Sequence, residues 1–188
     1  MKYAVVTAPE REPVAMEDAK AHLRLLPGDD TEDEALLAPI ISAAREYCEN
    51  ITGRALAEKT VEAYPDGFGL TMRLPHAPIG EVTEIRYKSA DGSETVMPKS
   101  DYSVDLLESM VIIHSIPAFD PYPVNPVTIT YRAGYTPEEA PKTIRQAMLL
   151  LIGHWHSNRE AVVVGAIAAV EVPISVKRLL DQWKVWWY

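Results

Sequence analysis

Two histidines near the C-terminus are the first residues whose types and spacing could do chemistry. His154 and His156 stand two positions apart in a segment with helical periodicity. Residues two apart on a helix point to different faces, whereas helical zinc sites use histidines four apart. We therefore interpret both histidines as structural or interface residues and predict no metal site.

An acidic run and the only cysteine are the next candidates for chemistry. The run DDTEDE at 29–34 has alternating acidic positions but lacks the glycine and the distal glutamate of a calcium loop. Its position favours the start of a helix, where the positive dipole end stabilises carboxylates. Cys48 lies on an apolar helical stripe, so we predict a buried side chain and not a nucleophile.

No sequence motif identifies an enzyme. The chain contains no phosphate-binding glycine loop, no nucleophile elbow and no HExxH pattern. We therefore predict a protein without catalytic activity and without a cofactor. A small hydrolase stays open as an alternative, and it would need His76 or His114 beside a carboxylate in the folded chain.

Composition restricts the class of protein. The chain has 188 residues, of which 47% are hydrophobic and 24% charged, and its net charge is −9. No apolar run reaches the roughly 18 residues of a membrane span, and an acidic chain offers no basic surface for wrapping nucleic acid. A single cysteine excludes internal disulfides, and the N-terminus lacks a signal-peptide core, so a reducing cytoplasm is expected.

The elements that position these residues fall into three zones. Residues 1–57 and 136–188 show helical patterns, whereas proline-rich residues 58–135 show short strand-like runs. Strands grouped between helices predict an α+β fold. The predicted helices are Met16 to Leu25, Thr31 to Thr52, one that begins at Pro141 and one that begins near Ser175.

Local signals refine the long helix and the strand zone. Thr31 and Glu34 have capping-box spacing, Gly53 is a suitable helix end, and Pro39 predicts a kink or a helix start. Asp91-Gly92 predicts a hairpin turn. The predicted strands are Thr60–Tyr64, Leu70–Leu74, Glu81–Lys88, Glu94–Met97, Tyr102–Asp105, Met110–His114 and Val127–Arg132.

Excess apolar surface near the C-terminus indicates assembly. In the helix after Pro141, one stripe holds Ile144, Ala147, Met148, Leu151 and Trp155, while Leu149, Leu150 and Ile152 lie off it. Such a helix is buried on two sides. The run AVVVGAIAAVEVP at 161–173 is too apolar for a solvated loop. Four aromatic residues crowd the last six positions, where they either fold back onto the core or anchor into a partner.

Several stretches form a recognisable pattern when they are taken together in their order and spacing. The most specific is a helix that ends in GHWHSNRE, followed by an apolar run and a P-x-x-V-x-x-LL helix. The full set of stretches is EDAKAHLRL (17–25), AAREYCENITGRAL (43–56), LPHAPIGEVTEIRYKSADG (74–92), YSVD (102–105), VTITYRAGY (127–135), PKTIRQAMLLLIGHWHSNRE (141–160) and PISVKRLLDQW (173–183). In these stretches the chain resembles the head–tail connector (adaptor) proteins of tailed bacteriophages, prophages and gene transfer agents.

The resemblance implies a structural virion protein, made in the bacterial host cytoplasm and located at the head–tail junction. Such proteins form a homo-oligomeric ring under the portal protein, extend the DNA channel, and present a platform for the next connector or tail protein. DNA would then be cargo that passes through without specific binding, which suits an acidic chain. The family fold is a helical bundle, with a β-rich insertion in longer members, and its older description mentions DNA packaging.

From these observations we expect a helical connector core of residues 1–57 plus 136–188, with an inserted β-rich domain at 58–135. The candidate contact residues are inferred from the excess of apolar residues near the C-terminus and not from the family resemblance. The expected subunit contacts are Leu149, Leu150, Ile152, Trp155, His156, Val162, Val163 and Val164. The residues expected to dock on the portal or tail are Trp183, Trp186, Trp187 and Tyr188. A monomeric or dimeric binding module that uses its β domain is the other alternative.

Overall fold

The computed structural model describes residues 1–25, 30–158 and 173–185, with the backbone alone at 30–33. Within these ranges the chain is α+β, as the sequence predicts, with four α-helices and eight strands. The helices are α1 (Met16–Leu23), α2 (Asp30–Thr52), α3 (Lys142–Ser157) and α4 (Ile174–Asp181). The strands are β1 (Lys2–Thr7), β2 (Lys59–Tyr64), β3 (Thr71–Arg73), β4 (Ile79–Lys88), β5 (Glu94–Val96), β6 (Tyr102–Asp105), β7 (Met110–Ile113) and β8 (Val127–Ala133).

The chain divides into a β unit and a helical unit. The β unit contains Met1–Glu10 and Ala57–Tyr135, and the helical unit contains Arg11–Leu56 and Thr136–Tyr188. The prediction that residues 1–57 form a helical zone is wrong for the first ten residues. They belong to the β unit because β1 pairs antiparallel with β2, more than 50 residues further along the chain.

The β unit contains two antiparallel sheets. The larger has the strand order β1-β2-β8-β4-β5, and the smaller has the order β3-β7-β6. Along β8 the side chains alternate as the sequence predicts, with Val127, Ile129 and Tyr131 buried. The Asp91-Gly92 turn also forms as predicted: Gly92 has a φ of 87°, and the Asp91 carboxylate accepts the Ser93 N–H at 2.9 Å.

The helical unit is built around α2 and α3. These two helices pack on each other, and α1 and α4 each pack against both. Gly53 follows α2 with a φ of 70°, which fits its predicted role as the helix end. Pro39 lies inside α2, so the helix does not start there. The Thr31 side chain, and with it the predicted capping box, lies outside the described residues.

Helix α3 buries more of its surface than the predicted stripe. Ile144, Ala147, Met148 and Leu151 are buried, in agreement with the periodicity. Ile152, which the periodicity places off the stripe, is also fully buried. In the described part of the chain, no helix is long and apolar enough to cross a membrane.

Candidate functional site

The described residues contain no cluster that could bind a metal ion, and their one cysteine is buried. No group of three or more histidine, cysteine, aspartate or glutamate side chains is placed there to hold a metal ion. Cys48 is fully buried on α2, and its burial, followed by the nearby Glu49 charge, raises the pKa of the thiol to about 12. The thiol is therefore protonated at neutral pH, as the predicted buried side chain requires.

The four histidines considered in the sequence analysis are dispersed. His154 and His156 lie half-buried near the end of α3. The His76 ring packs edge-on against Tyr3 at 4.4 Å between ring centroids. His114 is exposed just after β7, and its backbone N–H donates to the Asp101 carbonyl at 2.7 Å. His76 therefore packs against an aromatic ring, His114 lies at the surface, and the two histidines of α3 are partly exposed.

The exposed side of α3 is the first candidate assembly surface. Leu149 and Leu150 are half-buried, so part of each apolar side chain faces solvent. Ile152, by contrast, has no exposed surface, because it is part of the core of its own unit. A neighbouring subunit therefore could not contact Ile152 on this surface. The prediction that Ile152 is a subunit contact is wrong.

The C-terminal end of α3 adds an aromatic pair to this surface. Trp155 and Tyr47 of α2 pack in a T-shaped arrangement at 5.9 Å, and both are half-buried. Such a pair presents a broad apolar area with a polar tip, which is common at protein interfaces. His156, the residue after Trp155, is also half-buried. Val162, Val163 and Val164 lie outside the described residues.

The C-terminal segment is the second candidate, and Trp183 is held within its own unit. The Trp183 indole Nε1 donates to the Thr143 hydroxyl at 2.7 Å. Its carbonyl accepts from Arg54 Nε at 2.8 Å, and the guanidinium lies 5.8 Å from the indole centroid. The Val185 N–H then donates to the Thr52 carbonyl at 2.8 Å.

These contacts divide the predicted docking residues. Trp183 is half-buried and takes the fold-back position that the sequence left open, so it anchors the segment. Trp186, Trp187 and Tyr188 follow this anchor directly and lie outside the described residues.

A buried ion cluster holds α2 against its neighbours. Arg45 is 6% exposed and donates to Glu49 at 3.0 Å and to Glu12 at 2.9 Å. The other Glu49 oxygen accepts the Leu56 N–H at 2.8 Å. The cluster therefore joins the segment before α1, the middle of α2 and the residues that follow α2.

A shallow groove of about 600 Å³ lies between the segment before α1, α2 and the start of α3. The Arg11–Glu138 ion pair at 3.3 Å lies at this groove, as does the Arg145–Asp18 pair at 2.7 Å. Its lining includes no histidine, cysteine, serine or lysine.

Two surface features of the β unit escaped the sequence analysis. Strand β1 is exposed along its whole length and lies at the edge of the larger sheet. In the turn between β6 and β7, Leu107 is 97% exposed, and Asp105 Oδ1 fixes the turn by accepting two backbone N–H groups. The apolar run YAVV in β1 was the available signal, but a single short run does not reveal its pairing partner.

Comparisons with known proteins agree with this architecture. The family model described as "Head completion protein" matches residues 16–166. No curated protein matches the sequence. Three solved chains are similar over 100% of this chain and 97% of their own length. They come from the neck of an empty gene transfer agent particle computed with C6 symmetry (23% identity, TM-score 0.79), the virion of a native particle (25%, 0.75) and the neck of a native particle computed with C12 symmetry (22%, 0.75).

Proposed function

The chain belongs to the head completion protein family, and we propose that it is a head–tail connector that forms a ring under the portal. The family confirms the resemblance to connector proteins of phages and gene transfer agents that the sequence stretches indicate. The proposed role is structural, without catalysis or cofactor. Within the ring, the helices form the connector core, and the β-rich segment is inserted between α2 and α3.

One observation carries the proposal. The chain has the fold of chains from two gene transfer agent necks and one gene transfer agent virion, at TM-scores of 0.75 to 0.79. The two necks were computed with C6 and C12 symmetry, and copies related by cyclic symmetry form a closed ring. In the proposed role, a ring of this chain extends the DNA channel and joins capsid to tail.

We assign the ring contacts to the exposed side of α3 and the residues beyond it. Leu149 and Leu150 supply aliphatic surface there, and Trp155 supplies a half-buried ring. Burial of such aliphatic surface favours association, and aromatic side chains such as tryptophan often dominate the binding energy of protein interfaces. His156 and the valines at 162–164 complete the proposed contact set, and Ile152 is omitted because it is buried.

We assign docking on the portal, or on the downstream connector or tail protein, to Trp186, Trp187 and Tyr188. Trp183 supports this assignment indirectly, because its bonds to Thr143 and Arg54 hold the described residues that precede this aromatic group in the sequence. DNA is cargo in this scheme. The assembled protein is located in the virion and is made in the host cytoplasm.

Light scattering coupled to size exclusion tests the proposal, first on the isolated chain and then with the matching portal protein. We expect a ring, either alone or on the portal. Leu149→Lys should weaken assembly, because it places a charge on the proposed contact surface. Leu107→Lys is the matched control, since Leu107 is 97% exposed in the β unit. A chain that stays monomeric with the portal would contradict the proposal and favour a binding module.

A further inference from the structure

Helix α2 carries a second apolar stripe that faces solvent. This outer stripe consists of Leu36, Ile40, Ala43 and Tyr47, which follow one another at intervals of four, three and four residues and so share one side of the helix. Leu36 is 45% exposed and Ala43 is exposed, whereas Ile40 and Tyr47 are half-buried. The stripe of α2 that faces the core of the helical unit is a different one, formed by Leu37, Ile41, Ala44 and Cys48.

The outer stripe lies in a stretch of α2 without charged residues. Residues 35–44 contain no lysine, arginine, aspartate or glutamate, and Ser42 is their only polar side chain. The solvent face of a helix normally carries charged and polar side chains, and only the face towards the core is apolar. The core of the helical unit therefore accounts for one apolar side of α2 and not for the other.

The outer stripe continues into the proposed subunit contacts of α3. Tyr47, the last member of the stripe, packs against Trp155 in the T-shaped pair with 5.9 Å between ring centroids. Trp155 belongs to the ring contacts proposed above, and both rings are half-buried. An apolar strip therefore runs from Leu36 to Tyr47, about 17 Å along the axis of α2, and then onto the end of α3.

The side of α3 that carries Leu149 and Leu150 is a second apolar surface with a shape that can receive the stripe. Both leucines are half-buried, and Leu149 lines a groove of about 350 Å³ between α1 and α3. Lys142 and Arg145 line the same groove, where Arg145 pairs with Asp18 at 2.7 Å and Lys142 is exposed. This surface therefore combines apolar side chains, a concave groove and an exposed cation.

The charges around the two surfaces are opposite in sign. The only basic residue of α2, Arg45, is buried, so the exposed charges among the described side chains of α2 are those of Glu34 and Glu46. Helix α3 contains Lys142 and Arg145 but no aspartate or glutamate. Opposite charges around apolar surfaces steer two proteins together and orient them. The exposed faces of α2 and α3 are therefore complementary in charge as well as in apolar character.

We propose that the outer stripe of α2 in one copy packs against the Leu149–Leu150 side of α3 in the neighbouring copy of the ring. The proposal rests on the proposed ring and deepens it, because it names what the exposed side of α3 contacts. Each copy uses two different surfaces, so the contact is heterologous and joins copies head to tail until the ring closes. Burial of the apolar side chains favours association, and the opposite charges around them orient the two copies.

Cross-linking between two variants that each gain one cysteine tests which surfaces meet. One full-length chain carries Ala43→Cys in the outer stripe, and the other carries Gln146→Cys, an exposed position that lines the groove beside Leu149. The two are mixed, assembled on the portal protein and treated with a short bis-maleimide. We expect dimers that contain one copy of each variant, identified by mass spectrometry of the linked peptides. The buried Cys48 thiol, with its pKa raised to about 12, should not react.

Ala38→Cys mixed with Gln146→Cys is the matched control. Ala38 is also exposed on α2, but it lies at the groove of about 600 Å³ and outside the outer stripe. Equal yields of linked dimer in the two mixtures would overturn the proposal. Linked dimers from Ala43→Cys alone would also overturn it, because they would show that two outer stripes meet in a two-fold contact.

A charge placed in the outer stripe provides a second readout without cysteines. Ala43→Lys should raise the concentration needed for half-assembly at least about ten-fold, because the contact between apolar surfaces would then have to bury an ammonium group. Ala38→Lys is the matched control, since it makes the same change at an exposed position of the same helix, and it should alter this concentration less than about two-fold. Thermal unfolding of both variants verifies that they fold. Equal effects of the two substitutions on assembly would overturn the proposal.

Failure of this inference can be told apart from failure of the proposed function. If the Ala43→Lys variant assembles as the unmodified chain does, this inference alone is overturned. If that variant still forms rings but no longer binds the portal protein, the outer stripe contacts the portal, which also overturns the proposed subunit contact. The absence of any ring of the unmodified chain with the portal would overturn the proposed function as well.

Discussion

Gly134 illustrates how one residue fixes the end of the larger sheet. Its φ is 107°, and a Cβ added there would lie 2.1 Å from the Ala57 carbonyl oxygen. Both residues belong to the β unit. The obstructing atoms are backbone atoms, so they cannot move aside as the end of a flexible side chain could.

We expect Gly134→Ala to lower the free energy of unfolding by at least about 2 kcal/mol, because a strained backbone and a backbone clash act together. Urea denaturation measures the change. Gly92→Ala is the matched control, since Gly92 also has a positive φ of 87° but has nothing within 4 Å of the added Cβ. That variant should lose only about 1 kcal/mol. Equal losses in the two variants would contradict the close approach at Gly134.

Arg45 is a second residue with a large expected effect on stability, in this case through its buried ion pairs. It is buried between Glu49 and Glu12, and Glu49 is itself 8% exposed. Replacing Arg45 by methionine keeps most of the volume but removes the guanidinium that pairs with the buried Glu49 carboxylate. We expect the free energy of unfolding to fall by about 3 kcal/mol, because removing one partner of a buried ion pair is strongly destabilising.

Arg132→Met is the control for this measurement. Arg132 also forms an ion pair, with Glu81 at 3.5 Å, but its side chain is 60% exposed. Exposed pairs contribute little, so the change should stay within about 1 kcal/mol. Thermal or urea unfolding of both variants tests the comparison, and a loss for Arg45→Met no larger than for Arg132→Met would contradict the buried cluster.

At the scale of elements, the C-terminal segment is attached to α3 through one specific hydrogen bond. Trp183 Nε1 and the Thr143 hydroxyl are 2.7 Å apart. Trp183→Phe and Thr143→Val each remove this bond, and each should lower the free energy of unfolding by about 1 kcal/mol. The double variant should lose less than the sum, with a coupling of about 0.5–1.5 kcal/mol, because the bond can be lost only once.

Ser157→Ala combined with Trp183→Phe is the control cycle. Ser157 and Thr143 stand at opposite ends of α3, about 21 Å apart along the helix axis. Those two changes should add, since distant sites without shared partners are independent. Additivity in the Thr143 cycle as well would show that the indole does not hold the segment through this bond.

At the scale of the whole molecule, charge decides how the protein treats DNA. The net charge is −9, and nucleic-acid binding depends on clustered cations that displace counterions from phosphates. We expect the chain to bind duplex DNA no more tightly than about 10 μM at physiological salt. Fluorescence anisotropy with a labelled duplex measures this, and tighter binding would contradict the proposed role of DNA as passing cargo.

Local patterns in the sequence were sufficient for most elements. All seven predicted strands appear within about two residues of their expected bounds, and the helices appear at the predicted places. The reason is that turn residues such as Asp91-Gly92 and the stripe of α3 act over a few positions. Strand β1 was the exception, because its partner β2 lies more than 50 residues further along the chain. Pro39 lies inside α2, so of its two predicted outcomes the helix start is wrong and the kink stays a prediction.

The sequence by itself determined the α+β class, the order of the helices and strands that follow β1, the buried cysteine and the resemblance to connector proteins. These features depend on residue type and short-range periodicity. Both can be read from the linear sequence without knowledge of contacts between distant residues. Only the tertiary structure decided that β1 joins β2, that Ile152 is in the core and that Trp183 binds Thr143. Each of these depends on a partner at least 40 residues away or on burial by several elements at once. Such pairings are selected by the free energy of the whole fold and not by the local chain.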